Sequence, residues 1–411
     1  MSFEKKVSEI LNFMKKSNKE KIKNELYNII KFNEYCPIVI GEGHFGKVYI
    51  PEVNKTIPIK IKDINIDIPI VIKETKKIDN PDAYAENDII DKKLYISGYD
   101  NMTTEALILM YVRQLWNKTV NLPLILGYGT CSNTKMINRI MTQKYGLDKN
   151  IEINLKGKIF DESKMWHKPK KELAEKFTST ITTLADLFTY IYYSKNKNGS
   201  FVLPNGIKCE SISQLYDYLC ISYLATHHLL TENGIYPSDM HAKNIFIHWL
   251  NEKSFYGDEN IKNVKEIVYK IKDKYYKIKT FGFVLILGDI GSFMLKVKKD
   301  ILIIGQIWDI KKNYKLIQQR LKPEHTNIDF IMSNSIYLTR KEFHKTIAFN
   351  ILNSEPYCSL PTKGPIAWDI SYLNKLKSTT ELLKFYDKKY CINKYIKNKN
   401  NILIDVKKYK L

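Results

Sequence analysis

Between residues 4 and 32, apolar side chains recur at helical spacing: Val7, Ile10, Leu11, Phe13 and Met14, then Ile22, Leu26, Ile29 and Ile30, set among many Lys and Glu. A stripe with a period near 3.6 predicts one or two amphipathic helices. At Pro37 the rhythm changes. Through Lys73 the chain is rich in β-branched residues, Gly and Pro (IVIGEGHFGKVYIPEV, IPIKI, IPIVIKE), which predicts strands joined by hairpins. KIKDINID, residues 60–67, alternates apolar with polar, so one hairpin is expected to be longer than minimal. TEALILMYVRQLW then reads as a helix, with Thr103 or Thr104 available as its cap, and two strand candidates follow, LPLILGYGT from Leu122 and INRIMTQKYG from Ile137.

Beyond Gly146 a polar, Lys-rich stretch with little periodicity runs to about Lys176 and reads as an insertion. Helical spacing returns in TTLADLFTYIYY and in SISQLYDYLCISYLATHHLL, the latter ending at Asn233 and Gly234, which suit a left-handed helix stop. A second insertion near residues 251–277 precedes the apolar run FGFVLIL, and the last hundred residues read as mixed helix and loop with a Lys-rich tail. The predicted class is α+β: a helical extension at 1–36, a β-rich unit at 37–146, and a mainly helical unit at 147–411 with insertions near 147–180 and 251–277. At 411 residues the chain can bury a sizeable core, as one two-lobed unit or as two domains. It shows no internal repeat and no low-complexity linker.

Composition changes this picture little. The apolar fraction of 44% is that of a soluble globular protein. A net charge of +21 suggests a polyanion partner, but among 65 basic residues only Arg113, Arg139, Arg320 and Arg340 are arginine. Bidentate recognition of phosphates and bases favours Arg, so the excess of Lys reads as a solvated surface, in keeping with the Ile, Asn, Lys and Tyr that AT-rich codons supply. A nucleic-acid partner is therefore not expected. The six cysteines, Cys36, Cys131, Cys209, Cys220, Cys358 and Cys391, form no CxxC pair, so neither a zinc site nor a dense disulfide framework is expected. The first residues lack an uninterrupted apolar core of the signal-peptide kind, and no apolar stretch reaches the ~20 residues of a membrane helix. A reducing, cytoplasmic setting without membrane contact is the expectation.

Two short segments carry the chemistry. IYPSDMHAKNIFI holds Asp239 and Asn244 five residues apart before an apolar run; LILGDIGSF puts Asp289 at the end of an apolar strand, followed by Ile290 and Gly291. An acid, an amide and a second acid are oxygen donors of the kind Mg²⁺ prefers. Upstream, GEGHFGKVY has Gly41, Gly43, Gly46 and Val48 in a GxGxxGxV pattern, and VIKE carries Lys73. A dinucleotide-binding fold also uses GxGxxG, but its glycines open a helix, whereas these are followed by a strand containing Pro.

In this order, over about residues 38–293, the motifs resemble those of the protein-kinase-like superfamily, and in particular the divergent Ser/Thr protein kinases of large DNA viruses. The resemblance implies a two-lobed fold with a β-rich first lobe and a mainly helical second lobe, and ATP with Mg²⁺, or Mn²⁺ in its place, as cofactors. It implies that Gly41, Gly43, Gly46 and Val48 cover the nucleotide and that Lys73 holds its phosphates, oriented by an acid that is either Glu105 or Glu86. Met141 and Thr142 would flank the adenine, with Gln143 to Tyr145 as the hinge, unless IMTQKYG is an ordinary buried strand and turn. Asp239 would take or orient the substrate proton, Lys243 would neutralise the transferring phosphate, and Asn244 and Asp289 would bind the metal.

Several letters depart from the family pattern. Its HRD histidine and arginine positions hold Pro237 and Ser238, the Lys two after the Asp is His241, and DFG reads Asp289-Ile290-Gly291. Without that Arg, no activation by loop phosphorylation is expected. His241 gives DxHxxN, a spelling of small-molecule kinases of the aminoglycoside and choline type. APE is absent, and Asp309 and Asp369 are the candidates for the Asp of DxWxxG. The implied acceptor is a protein hydroxyl; a small-molecule acceptor and a non-catalytic scaffold are the alternatives. If the chain is viral, the host cytoplasm or the virion is its expected place.

Overall fold

The computed structural model describes residues 38–42, 46–50, 56–61, 64–75, 85–98, parts of 105–131, 137–143 with 145, 151–154, 176–179, 181–194, 200–250 without 211 and 239, 265–323 without 306–308, and 379–392. The expected N-terminal helices, Gly43, Asp239, Asp369 and the Lys-rich tail lie outside these residues, as do the side chains of Glu86, Gln143 and Lys243.

The strands expected in the first part form, and a hairpin at residues 85–98 that the sequence did not suggest is added to them. Strands β1 (Ile38–Glu42), β2 (Gly46–Ile50), β3 (Thr56–Ile61) and β4 (Ile64–Thr75) come from the β-branched stretch. They are followed by β5 (Ala85–Ile90), β6 (Lys93–Gly98), β7 (Ile125–Cys131) and β8 (Ile137–Gln143). One sheet runs β1-β2-β4-β8-β7, with β3 folded onto the first half of β4. The twelve residues of β4 make the longer hairpin that KIKDINID suggested, Ile61 facing Ile64. Between β6 and β7, Glu105, Ile108, Leu109, Tyr111 and Val112 are helical.

The second part contains more strand than expected. Its first insertion holds the short ladder of β9 (Ile151–Asn154) and β10 (Lys176–Ser179). Helix α1 (Leu184–Ser194) starts where Thr183 and Asp186 exchange bonds: the Asp186 carboxylate accepts from the Thr183 amide at 2.8 Å and the Asp186 amide donates to Thr183 Oγ1 at 3.3 Å. A hairpin of β11 (Phe201–Val202) and β12 (Lys208–Cys209) leads to α2 (Ile212–Glu232), a helix buried on most of its circumference and closed by Gly234 at φ +75°. A Cβ on Gly234 would come within 2.9 Å of the Lys296 carbonyl, so the stop requires Gly twice over.

Thereafter come β13 (Ile235–Tyr236), β14 (Ile245–Trp249), β15 (Glu266–Ile271), β16 (Lys274–Lys279), β17 (Phe283–Leu287), β18 (Met294–Lys298) and β19 (Ile301–Ile304), then α3 (Tyr314–Arg320), α4 (Thr379–Tyr390) and β20 (Cys391–Ile392). Within the second insertion, β15 and β16 form a hairpin, to which β20 adds. Helix α4 is latched to this scaffold by charge. The fully buried Asp217 carboxylate of α2 accepts from Lys389 Nζ at 2.6 Å and from Tyr390 Oη at 2.5 Å, and Asp387 accepts from Tyr276 Oη at 2.7 Å and pairs with Lys274.

A second, five-stranded sheet has the order β13-β18-β19-β6-β5, so the hairpin between Lys73 and Glu105 joins the strands that follow Asp289. Side-chain alternation gives this sheet two apolar faces. Leu94, Ile96, Leu295, Ile301 and Ile303 join the main core with Ile108, Leu109 and Val112; Tyr95, Met294, Leu302 and Ile304 form a smaller cluster with Ile310 and Ile317. Among the described residues, no helix is long and apolar enough to cross a membrane.

Candidate active site

Lys73 lies near the end of β4, where the register sets it opposite Val48 of β2 and Ile140 of β8. Its ammonium reaches two carboxylates: Glu105 Oε2 at 2.6 Å and Asp289 Oδ1 at 3.4 Å. The side chains of Lys73, Glu105 and Asp289 keep 27%, 10% and 31% of their exposure, a mostly dry cluster that solvent still reaches from one side. Burial opposes the Lys73 charge, but the attraction of Glu105 and Asp289 outweighs it and raises the pKa of the ammonium above its ordinary value. Of the two acids weighed as its partner, Glu105 holds the place; Glu86 is on β5, in the other sheet, paired with Ser97.

The loops carrying Asp289 and Asn244 are brought together by one ladder. β14 and β17 pair antiparallel with Ile245 opposite Leu287, so the residues just before β14 meet those just after β17. Gly288 N donates to the Asn244 carbonyl at 2.8 Å, closing this junction. A Cβ at Gly288 would fall 2.1 Å from the Phe246 ring and 3.1 Å from that carbonyl, so only Gly permits the approach. Asp289 itself has φ +45° and ψ +52°, a left-handed conformation that Asp tolerates better than most residues and that accumulates at functional sites.

Two serines join the loops a second time. Ser238 Oγ donates to the Ser292 carbonyl, and Ser292 Oγ donates to the Ser238 carbonyl at 2.9 Å; both side chains are buried. Ser238 and Met240 bracket Asp239, so this pair anchors the backbone next to Asp239 to the turn that follows Asp289. Asn121 performs a similar task for β17: fully buried, its Nδ2 donates to the Leu285 carbonyl at 2.8 Å while its own carbonyl accepts from Leu287 N at 3.0 Å. The sequence offered no signal for Asn121. For Ser238 the signal was a departure from the family letters, legible only as a loss; Ser292 carried none.

The glycine-rich segment is a hairpin, Gly41 facing Val48 and Glu42 facing Lys47, with Gly46 opposite Thr75; strand, not helix, follows the glycines. Thr142 sits on β8 opposite Val71 and beside Lys73's neighbours. Tyr145 is turned inward: its ring is buried, packs against Phe246 and His248 at centroid distances of 6.2 and 5.7 Å, and its hydroxyl accepts from Leu124 N at 2.8 Å. That leaves the Tyr145 backbone, not the phenol, for a ligand. Lys243 and Asn244 lie in a 3-10 turn, Ala242–Asn244, with Asn244 half-buried. Further inside, burial pulls the pKa of His248 down to about 4, and neither ring nitrogen has a hydrogen-bond partner.

Among the described residues no three His, Cys, Asp or Glu side chains gather as a metal cluster. A hard cation here would have one carboxylate, Asp289, and one amide, Asn244, with ligand and water oxygens for the rest, a donor set suited to Mg²⁺ and poor for zinc. Chemically, the cluster is a fixed ammonium between two carboxylates, one of them half-exposed and next to an amide-bearing turn. Neither protein-family models nor curated proteins gave a match to this chain.

Proposed function

We propose that the chain is an ATP-dependent phosphotransferase with a two-lobed, protein-kinase-like fold, transferring the γ-phosphoryl group to a protein hydroxyl. The observation that carries this reading is the Lys73 ammonium held 2.6 Å from Glu105 and 3.4 Å from Asp289 on the strand that pairs with the glycine hairpin. A lysine so charged and so fixed suits phosphate oxygens, and the glycines let backbone approach them. The boundary between the lobes, near residue 146, is part of the proposal.

Bound Mg·ATP would supply the transferable phosphoryl group and most of the charge neutralisation. The chain's own residues do the rest. Lys73, kept in place by Glu105, would hold the α and β phosphates. Asp289 and the Asn244 amide would hold the metal, and the Ser238–Ser292 pair keeps their two loops in register. Asp239 accepts or orients the acceptor's proton, and Lys243, four residues on, offsets charge on the moving phosphate. Thr142 and the backbone of Gln143 and Tyr145 would face the nucleotide.

Radiolabelled ATP with Mg²⁺ or Mn²⁺, offered to the protein alone and to generic protein substrates beside an Asp239→Ala control, tests the reading. Label on protein, lost in the control, supports it. Label only on small hydroxyl or amino compounds moves the acceptor to the class that His241 and the missing APE favour. No transfer to either, with partner binding indifferent to Asp289→Ala, leaves a scaffold and ends the proposal.

A further inference from the structure

We infer that the β5–β6 hairpin is a positioning element for the Lys73–Glu105 ion pair, holding the Glu105 helix in its paired place by welding it to the strands after Asp289. The inference rests on the proposed function for its meaning in catalysis, but not for its geometry.

The hairpin occupies the stretch between the two members of the pair, which could have been a loop. Instead β6 lies parallel to β19, with Leu94 facing Ile301, Tyr95 facing Leu302, Ile96 facing Ile303 and Ser97 facing Ile304, and Leu94 N donates to the Asp300 carbonyl at 2.8 Å. The two faces of β6 then bind different things. Leu94 and Ile96, both buried, belong to the same apolar cluster as Ile108, Leu109 and Val112 of the Glu105 helix. Tyr95, 1% exposed, belongs to the cluster of Met294, Leu302, Ile304, Ile310 and Ile317 beyond Asp289.

Polar contacts surround that second cluster. Gln318 Nε2 donates to Tyr95 Oη at 3.1 Å, Tyr314 Oη donates to Asp91 at 2.7 Å, and Lys311 pairs with Asp88 at 3.1 Å. One strand therefore contributes by one face to the apolar core that also takes in the helix bearing Glu105, and by the other to the cluster following Asp289. Moving the helix away from Lys73 would open the apolar core it shares with β6 or drag the sheet, at a cost of about 25 cal/mol for each Å² uncovered. The carboxylates on either side of Lys73 are thus coupled by packing.

Amide exchange in the full-length protein tests this without reference to activity. In mild denaturant the amides of Tyr95 and Ile96 and those of Ile108, Leu109 and Val112 should open as one unit, with the same dependence on denaturant. Tyr95→Ala should speed exchange of the helix amides by on the order of tenfold and lower kcat on a similar scale with KM for ATP less affected, and Tyr95→Phe should restore both. Helix amides that stay protected while β6 opens, in the wild type or in Tyr95→Ala, would overturn the inference; the wild-type measurement decides the matter even where Tyr95→Ala fails to fold. Coupled exchange in a protein that transfers no phosphate would sink the proposed function and leave the hairpin's role standing.

Discussion

Replacing Glu105 by Gln keeps the side chain's shape and an oxygen acceptor but removes the nearer of the two charges on Lys73. At an effective dielectric constant of about 20, Coulomb's law gives about 6 kcal/mol of attraction for Glu105 at 2.6 Å and about 5 kcal/mol for Asp289 at 3.4 Å. Desolvation offsets most of both, and breaking a buried pair nets about 3 to 5 kcal/mol. Here solvent reaches the cluster and one carboxylate remains, so about 2 kcal/mol is expected, close to thirtyfold in kcat/KM. The change has a second signature. With Glu105 neutral, the ammonium has only Asp289 to turn to, and it then competes with the metal for that carboxylate. The Mg²⁺ concentration for half-maximal phosphotransfer should rise severalfold, read from initial rates at saturating ATP. Stability should follow pH in a matching way: Lys73 holds its proton more tightly folded than unfolded, so the pair's contribution is whole below the ordinary value of 10.5 and is lost as pH climbs past it, a loss Glu105→Gln should flatten. A kcat/KM within threefold of wild type together with an unmoved Mg²⁺ curve would refute the reasoning.

Three further expectations follow from the same structure. Asp239→Ala should lower turnover by on the order of 10² to 10⁴ with nucleotide binding nearly intact, measured by steady-state kinetics beside ATP titration; unchanged turnover removes it as the base. Gly288→Ala forces a Cβ into the Phe246 ring and should cost about 1 to 3 kcal/mol in denaturant midpoint and disturb the Asn244 junction, whereas a neutral result would mean the loops have room to part. His248 is neutral in the fold and chargeable at pH 5 when unfolded, so His248→Phe should gain about 2 kcal/mol at pH 5 relative to its effect at pH 8, by paired denaturation curves; equal effects at both pH values would contradict its burial.

What the sequence revealed was local. Glycines before a strand, Lys73 on a β-branched run and Asp289 after FVLIL all depend on neighbours within a few residues, and each is found where that grammar puts it. The partner of Lys73 stayed divided between Glu86 and Glu105 because the intervening hairpin takes its place from Ile301–Ile304, some two hundred residues on, which no window along the chain can sense. The insertions likewise read as filler, since Lys-rich strands such as KYYKIK owe their pairing to EIVYKI and to Cys391–Ile392 rather than to strong alternation. Tyr145 was read only as part of a hinge; that its buried ring packs on Phe246 and His248 depends on residues about a hundred positions on, which a turn's letters do not reveal. Ser238 looked like a missing arginine; its bond partner, Ser292, is 54 residues distant.

The latch at Asp217 sets a clock for biosynthesis. This carboxylate is buried in α2, yet the ammonium that neutralises it belongs to a residue 172 positions later. At roughly 5 to 20 residues per second, a ribosome needs roughly ten to thirty seconds to cover that interval, during which α2 must leave Asp217 in contact with water. The nascent chain therefore cannot finish its interior until Lys389 and Tyr390 emerge, and any agent that guards unfinished α2 surface would act within that window.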